Sequence, residues 1–142
     1  MTIVVIDGQG GGFGRALVEG LRAAGVREEI VAVGLNSLAT SAMLKAGANA
    51  GATGENAAVV NARRADILAG PLGLVMANSM LGECSPAVAL AVAESPAVRV
   101  LIPAAKCGTQ VAGLPEQPLA QRIADAVQKI LALLAKEGAA LS

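Results

Sequence analysis

The sequence predicts an α/β fold of the doubly wound kind: a mainly parallel sheet of four to five strands, flanking helices and a long C-terminal helix. Three observations predict it. The apolar run Ile3–Ile6 (IVVI) reads as a buried strand, and Val98–Ile102 (VRVLI) as a further parallel strand. Strand and helix signals alternate along the chain, which is the pattern of right-handed β-α-β crossovers. The chain closes on a helical stripe of Leu119, Ile123, Val127, Ile130, Leu131 and Leu134.

Element by element, residues 2–6 form the first strand. A helix follows from Gly14 to Gly25, with Leu17, Val18, Leu21 and Ala24 on one face and Gly25 as its C-terminal stop. Residues 29–34 (EIVAVG) are the second strand. Asn36 or Ser37 caps a helix through Met43 to Ala46, closed by Gly47. Ala48–Thr53 is a short strand or a ligand-facing loop, and Thr53 is placed to cap a helix from Gly54 to Ala62. Residues 65–69 (ADILA) read as a strand ending at Gly70-Pro71-Leu72-Gly73, and Leu74–Met80 as a helix or a strand, by preference a helix. Ser85-Pro86 is a sharp helix start, a capping hydroxyl followed by proline at the first helical position, and that helix ends at Ser95-Pro96. Residues 98–102 are a further strand, and Thr109–Ala112 a short edge strand.

A chain of 142 residues with no linker or repeat is expected to be a single domain, 1–142. Eleven basic and eleven acidic residues cancel, so no cationic field exists to attract nucleic acid or an anionic membrane. No secretory leader or transmembrane run stands out, which points to a cytoplasmic protein. The apolar fraction is 54%, and part of that excess is expected in a subunit interface, of a homo-oligomer and by preference a dimer. With no His and two Cys, no zinc set is complete. Cys84 and Cys107 read as small buried side chains, although Cys107 follows Lys106, and a neighbouring cation lowers a thiol pKa. Without His, Tyr or Trp, acid–base work would fall to Asp, Glu, Lys or Cys, and base stacking has almost no platform.

The densest motif is Asp7–Arg15, DGQGGGFGR, between the first strand and the first helix. The dinucleotide fingerprint G-x-G-x-x-G fails here, because its third position falls on Phe13 or Arg15. What fits is G-x-x-x-G-x-G at Gly8, Gly12 and Gly14. That spacing is similar to the cofactor loop of the short-chain dehydrogenase/reductase family. The resemblance covers only about the first thirty residues, and the catalytic Tyr-x-x-x-Lys pair of that family has no counterpart. No acid stands at the end of the second strand to hold an adenosine ribose, and no Gly-Lys-Ser/Thr makes a P-loop. Amides from Gly10 to Gly14, with Gly11 among them, would suit a phosphate at a helix N-terminus. The alternative is a glycine turn that serves packing alone. A carboxylate at Asp7 beside a phosphate would need Mg²⁺, a ribose hydroxyl or an amine.

Other polar clusters point to the same edge of the sheet. Asn36, Ser37, Thr40 and Ser41 are either a cap with a polar first turn or a second set of donors. Glu55 and Asn56 stand among small residues, and Glu55 is the candidate general base or metal ligand, solvated surface being the alternative. Asp7, Glu55 and Glu83 come from separate loops and would make a Mg²⁺ site if they met, although spacing does not assign them as ligands.

Taken together, IDGQGGG, NS-x-ATS-x-MLKAGA, GATGENA, AD-x-x-x-GP-x-G, LGE-x-x-P and LIP-x-x-x-C resemble an uncharacterised bacterial family of short Rossmann-like proteins, catalogued as domain of unknown function 3842. The resemblance runs from Ile3 to about Gly113. It implies a Rossmann-like fold with its ligand edge at the strand C-termini, and it places the polar blocks of the family on Asp7, Gln9, Asn36, Ser37, Thr40, Ser41, Glu55, Asn56, Glu83 and Cys107. It implies no reaction. The expected function is binding of a nucleotide or small phosphorylated metabolite through Gly8, Gln9, Gly10, Gly11, Gly12 and Gly14, with Asn36, Ser37, Thr40, Ser41 and Asn56 alongside. Should the chain be an enzyme, Asp7, Glu55 and Cys107 are its candidate catalytic residues. The competing expectation is a non-catalytic oligomeric or regulatory protein.

Overall fold

Five parallel strands in the order β3-β2-β1-β4-β5 make the sheet in a computed structural model, which describes residues 1–104 and 108–141. The elements run β1 (Thr2–Asp7), α1 (Gly12–Ala23), β2 (Glu29–Gly34), α2 (Ser37–Ala46), β3 (Ala50–Thr53), α3 (Glu55–Arg64), β4 (Ile67–Pro71), α4 (Pro86–Glu94), β5 (Val98–Ile102) and α5 (Leu119–Leu141). Register is continuous across the centre: Ile3 lies opposite Ile30 of β2 and Ile67 of β4.

Alternate residues of the central strands supply two cores. Ile3, Val5, Ile30, Ala32 and Ile67 pack with Leu17, Leu21, Met43, Val127 and Ile130, which sets α1, α2 and α5 on one face. Val4, Ile6, Val33 and Leu68 pack with Ala58, Ala62, Val88 and Val92, which sets α3 and α4 on the other. The expected stripe is the seam of α5 from Ile123 to Leu134, whereas Leu119 is exposed, and Gly20 lets α1 approach the seam, since a Cβ there would stand 2.9 Å from Val127 Cγ2.

The connection from β1 goes out through α1 on one face, whereas β4 is reached through α3 on the opposite face. Strand order reverses between β1 and β4, and the crevice at their C-terminal ends is where ligands bind in open α/β sheets. Asp7 and Pro71 end the two strands there.

Several expected boundaries move for local reasons. Ala50–Thr53 is a strand, paired with β2, so the sheet has one strand more than the four firmest signals. Helix α3 starts after Gly54 rather than after a Thr53 cap. Gly54 carries φ 107, which an L-residue rarely adopts, and the Thr53 hydroxyl is held by Thr40 Oγ1 at 2.7 Å. β4 begins two residues later than expected and takes in Gly70 and Pro71. The expected helix over Leu74–Met80 is a single 3₁₀ turn, Leu72–Val75, followed by an irregular loop. Asn78, Met80 and Leu81 have φ 66, 58 and 58, which no right-handed helix permits. Burial of Leu74 and half-burial of Val75, Met76 and Met80 account for the hydrophobicity that suggested a helix. Thr109–Ala112 is not a strand: the segment is exposed and lies between Gly108 and Gly113, both at positive φ. Among the described residues no helix is long and apolar enough to cross a membrane.

Candidate functional site

The site is built on the end of β1. Asp7 is 3% exposed, and its carboxylate is already bound by the chain: Oδ1 accepts from the Gly8 N–H at 2.8 Å and Oδ2 from the Gly14 N–H at 2.7 Å. Phe13 N–H adds a third backbone donor. These donors include the second and third helical positions of α1, which have no partner inside the helix. Asp7 is thus an internal anion seated on the α1 N-terminus, and it needs no metal or ribose to satisfy it. Burial pushes its carboxyl above the ordinary value, opposed by the Gly14 and Gly8 amides, with the negative charge of Glu83 adding to the upward shift.

The five glycines of the loop divide into two groups. A Cβ on Gly8 would collide with the Glu83 carboxylate and Met80 Sδ, and one on Gly14 with Met43 Sδ. Gly11 has φ 75, and a Cβ there would lie 2.8 Å from Ala39 Cα on the α2 backbone. These three are demanded by the fold. Gly10 and Gly12 are different: both are exposed, neither has positive φ, and a Cβ on either would meet nothing within 4 Å.

Glu83 joins the loops. It reaches back from the irregular segment before α4, where Oε1 accepts from the Gln9 N–H and Oε2 from Asn36 Nδ2 at 2.9 Å. Asn36 Nδ2 also donates to Gln9 O at 2.9 Å, while its Oδ1 caps α2 by accepting from the Ala39 N–H at 2.9 Å. Gln9 itself adopts φ 49 and is exposed.

The remaining expected residues fall around this centre. Thr40 is buried, and its hydroxyl makes the link to Thr53, with Asn36 O at 3.2 Å, so it fastens α2 to β3. Ser37 is exposed on the first turn of α2, Ser41 is half-buried one turn on, and Asn56 is exposed at the start of α3. Glu55 turns away from the glycine loop and accepts from the Ser85 hydroxyl, which itself accepts from the Val88 N–H to cap α4. The three carboxylates Asp7, Glu55 and Glu83 therefore do not assemble the Mg²⁺ site considered above, and no group of three His, Cys, Asp or Glu among the described residues could hold a metal ion. Cys84 is buried, with its thiol toward Leu74 O, and burial pushes that thiol up. Cys107, with Lys106, lies outside the described residues.

Sequence reasoning had Glu83 as a metal candidate and missed its work as a tie between loops. It also missed Met80, whose sulfur sits against Gly8, and the Thr40–Thr53 pair. The LGE-x-x-P block was the only signal for Glu83, since it lies 74 residues from Gln9 and 47 from Asn36.

No curated protein matches the chain. Among solved structures, one similar chain is a dodecameric FMN-dependent UbiX-like decarboxylase from Escherichia coli O157:H7. The two share 17% identity over 91% of this chain and 75% of that one, with a TM-score of 0.43. A family model described as domain of unknown function (DUF3842) matches residues 2–135. Together with the α/β sheet and the crevice at its strand reversal, that match over most of the sequence assigns the protein: it belongs to the DUF3842 family.

Proposed function

We propose that the protein binds a nucleotide or small phosphorylated metabolite over Gly10 and Gly12, at the N-terminus of α1. One observation carries this reading. Gly10 and Gly12 are glycines that neither backbone conformation nor internal packing requires, and both lie exposed at the strand-reversal crevice. A glycine of that kind suits close approach of a molecule from outside the chain. Gly12 is the first residue of α1, so its N–H is an unpaired helical donor at the positive end of the macrodipole. Arg15 pairs with Glu19 at 3.0 Å on the surface of α1, so the ligand is held mainly by amides rather than by a cation.

Gly12→Ala tests this directly. Alanine at an exposed first-turn position should leave the fold unharmed or stabilise it by about 0.5 kcal/mol. Thermal shift and calorimetry with inorganic phosphate, ADP and NAD are the measurements. A ligand at a hundred times its Kd should stabilise the unsubstituted protein by about 2.7 kcal/mol, and the shift should vanish in Gly12→Ala. Binding by Gly12→Ala equal to that of the natural sequence, or no response of either protein to the three compounds, overturns the reading.

A second reading, self-association, has its own observation. With three helices on one face and two on the other, a groove of about 340 Å³ lies beside α3, lined by Val31, Ala50 and Ala52 and by the polar Glu29, Asn61 and Arg64. Light scattering should show a dimer that Ala52→Glu converts to monomer, and a monomeric natural sequence would dispose of it.

A further inference from the structure

We propose that Glu83 is a displaceable internal anion, a latch that competes with the ligand's anionic group for the donors of the glycine loop. The proposal rests on the ligand reading above and concerns how that site opens.

Two donors from different loops, the Gln9 N–H after β1 and the Asn36 amide after β2, converge on one carboxylate. Convergent amide donors flanking open glycines are the chemistry of an anion site, and here Glu83 fills it. The other internal anion, Asp7, is buried and held by three backbone donors, so it is a fixed part of the scaffold. Glu83 is half-buried, and its attachment to the rest of the chain is different in kind.

The segment that delivers it is under conformational load. Met80, Leu81 and Gly82 are consecutive positive-φ residues at 58, 58 and 89, with Asn78 at 66 just before them. Leu81 has its side chain entirely in solvent, so no packing of its own offsets the left-handed backbone. Backbone bonds within the segment hold its own turn, among them Asn78 N–H to Cys84 O at 2.8 Å and Cys84 N–H to Ser79 O at 3.2 Å. It is docked by Met80 against Gly8, by a Ser79 Oγ donation to Gly73 O at 2.6 Å and by the Glu83 carboxylate. When an incoming anion takes the Gln9 and Asn36 donors, one of these attachments is lost and the backbone strain favours release. Asn36 keeps its cap on Ala39 and its bond to Gln9 O, so α2 stays in place while residues 79–83 move, hinged at Asn78 and at Cys84, which stays buried in the core. The result is a two-state element whose closed form is stabilised by an intramolecular copy of the ligand's charge.

The test is ADP binding by calorimetry, with amide exchange at residues 78–84, in the natural sequence, Glu83→Gln and Leu81→Gly. If the open form is a tenth or less of the population, Glu83→Gln should bind ADP at least about tenfold tighter. Leu81→Gly relieves the left-handed backbone, favours the closed form and should bind a few-fold more weakly. Opposite signs from two variants cannot come from general loss of stability. In the natural sequence, ADP should speed exchange of the Gly82, Glu83 and Cys84 amides. Equal or weaker binding by Glu83→Gln, or bound ADP that leaves the exchange of 78–84 unchanged, overturns the latch and spares the ligand reading. If phosphate and ADP bind none of the three proteins, the ligand reading falls and the latch falls with it.

Discussion

Gly11→Ala should lose about 3 kcal/mol of stability, although its neighbour Gly12→Ala should lose none. Two costs add at position 11. An alanine at φ 75 sits in the left-handed region, a penalty of about 1 kcal/mol. Its Cβ would also stand 2.8 Å from Ala39 Cα, and backbone cannot swing aside as a side chain can. Helix α2 would have to move, and overpacking of that sort costs a further 1–3 kcal/mol or so. Urea titration of both variants decides the matter. A midpoint for Gly11→Ala within error of the natural sequence would mean that α1 and α2 do not meet as closely as described.

Asp7 carries the second large effect, and its size depends on pH. Asp7→Ala removes the acceptor of the Gly8, Phe13 and Gly14 amides at a buried position. Each stranded donor costs on the order of 1–3 kcal/mol, and relief from burying a carboxylate returns part of that, so a net loss of about 3 kcal/mol is expected. The titration behaves otherwise. Burial raises the Asp7 carboxyl in the folded state above its ordinary 3.8, so the folded chain holds the proton more tightly than the unfolded one. Its proton-linked contribution is fully present below 3.8 and is lost as pH rises through the higher folded value. Urea midpoints of the natural sequence and Asp7→Asn, measured from acid to neutral pH, should therefore differ by a slope that falls with pH in the natural sequence alone. A natural-sequence slope that rises instead, relative to Asp7→Asn, would show that the amides outweigh burial.

Most of the fold was legible because its signals are local. IVVI needs only its own side chains to be read as a buried strand and VRVLI as a strand, which lies at the sheet edge with Val98 and Arg99 exposed, and Ser85-Pro86 states a helix start in two residues. Asn36 did cap α2, through Ala39 N–H. Ala50–Thr53 was ambiguous because Ala and Gly disfavour strands and Thr53 alone favours one, and its place comes from hydrogen bonding to β2. Leu74–Met80 misled because its apolar residues are buried by the close turn around Gly73 and Ser79 rather than by one helical face. The site was half legible. DGQGGGFGR announced a loop of special backbone, but the spacing could not separate Gly11, which the α2 backbone requires, from Gly12, which faces open space. Nor could it reveal that Asp7 would satisfy itself on Gly8 and Gly14, or that Glu55 would turn to Ser85.

The bonds from Glu83 to Gln9 and Asn36 also bear on the order in which the chain acquires its structure. The β1–α1–β2 unit closes over short separations, whereas Glu83 meets Gln9 across 74 residues and Asn36 across 47. Contacts that close long loops lose more chain entropy and tend to form after local ones have prepared their partners. The glycine loop and the α2 cap can therefore be in place before the crevice is bridged, and docking of the 78–84 segment marks the late stage of folding. Substitutions at Glu83 should accordingly quicken unfolding while leaving the refolding rate nearly untouched.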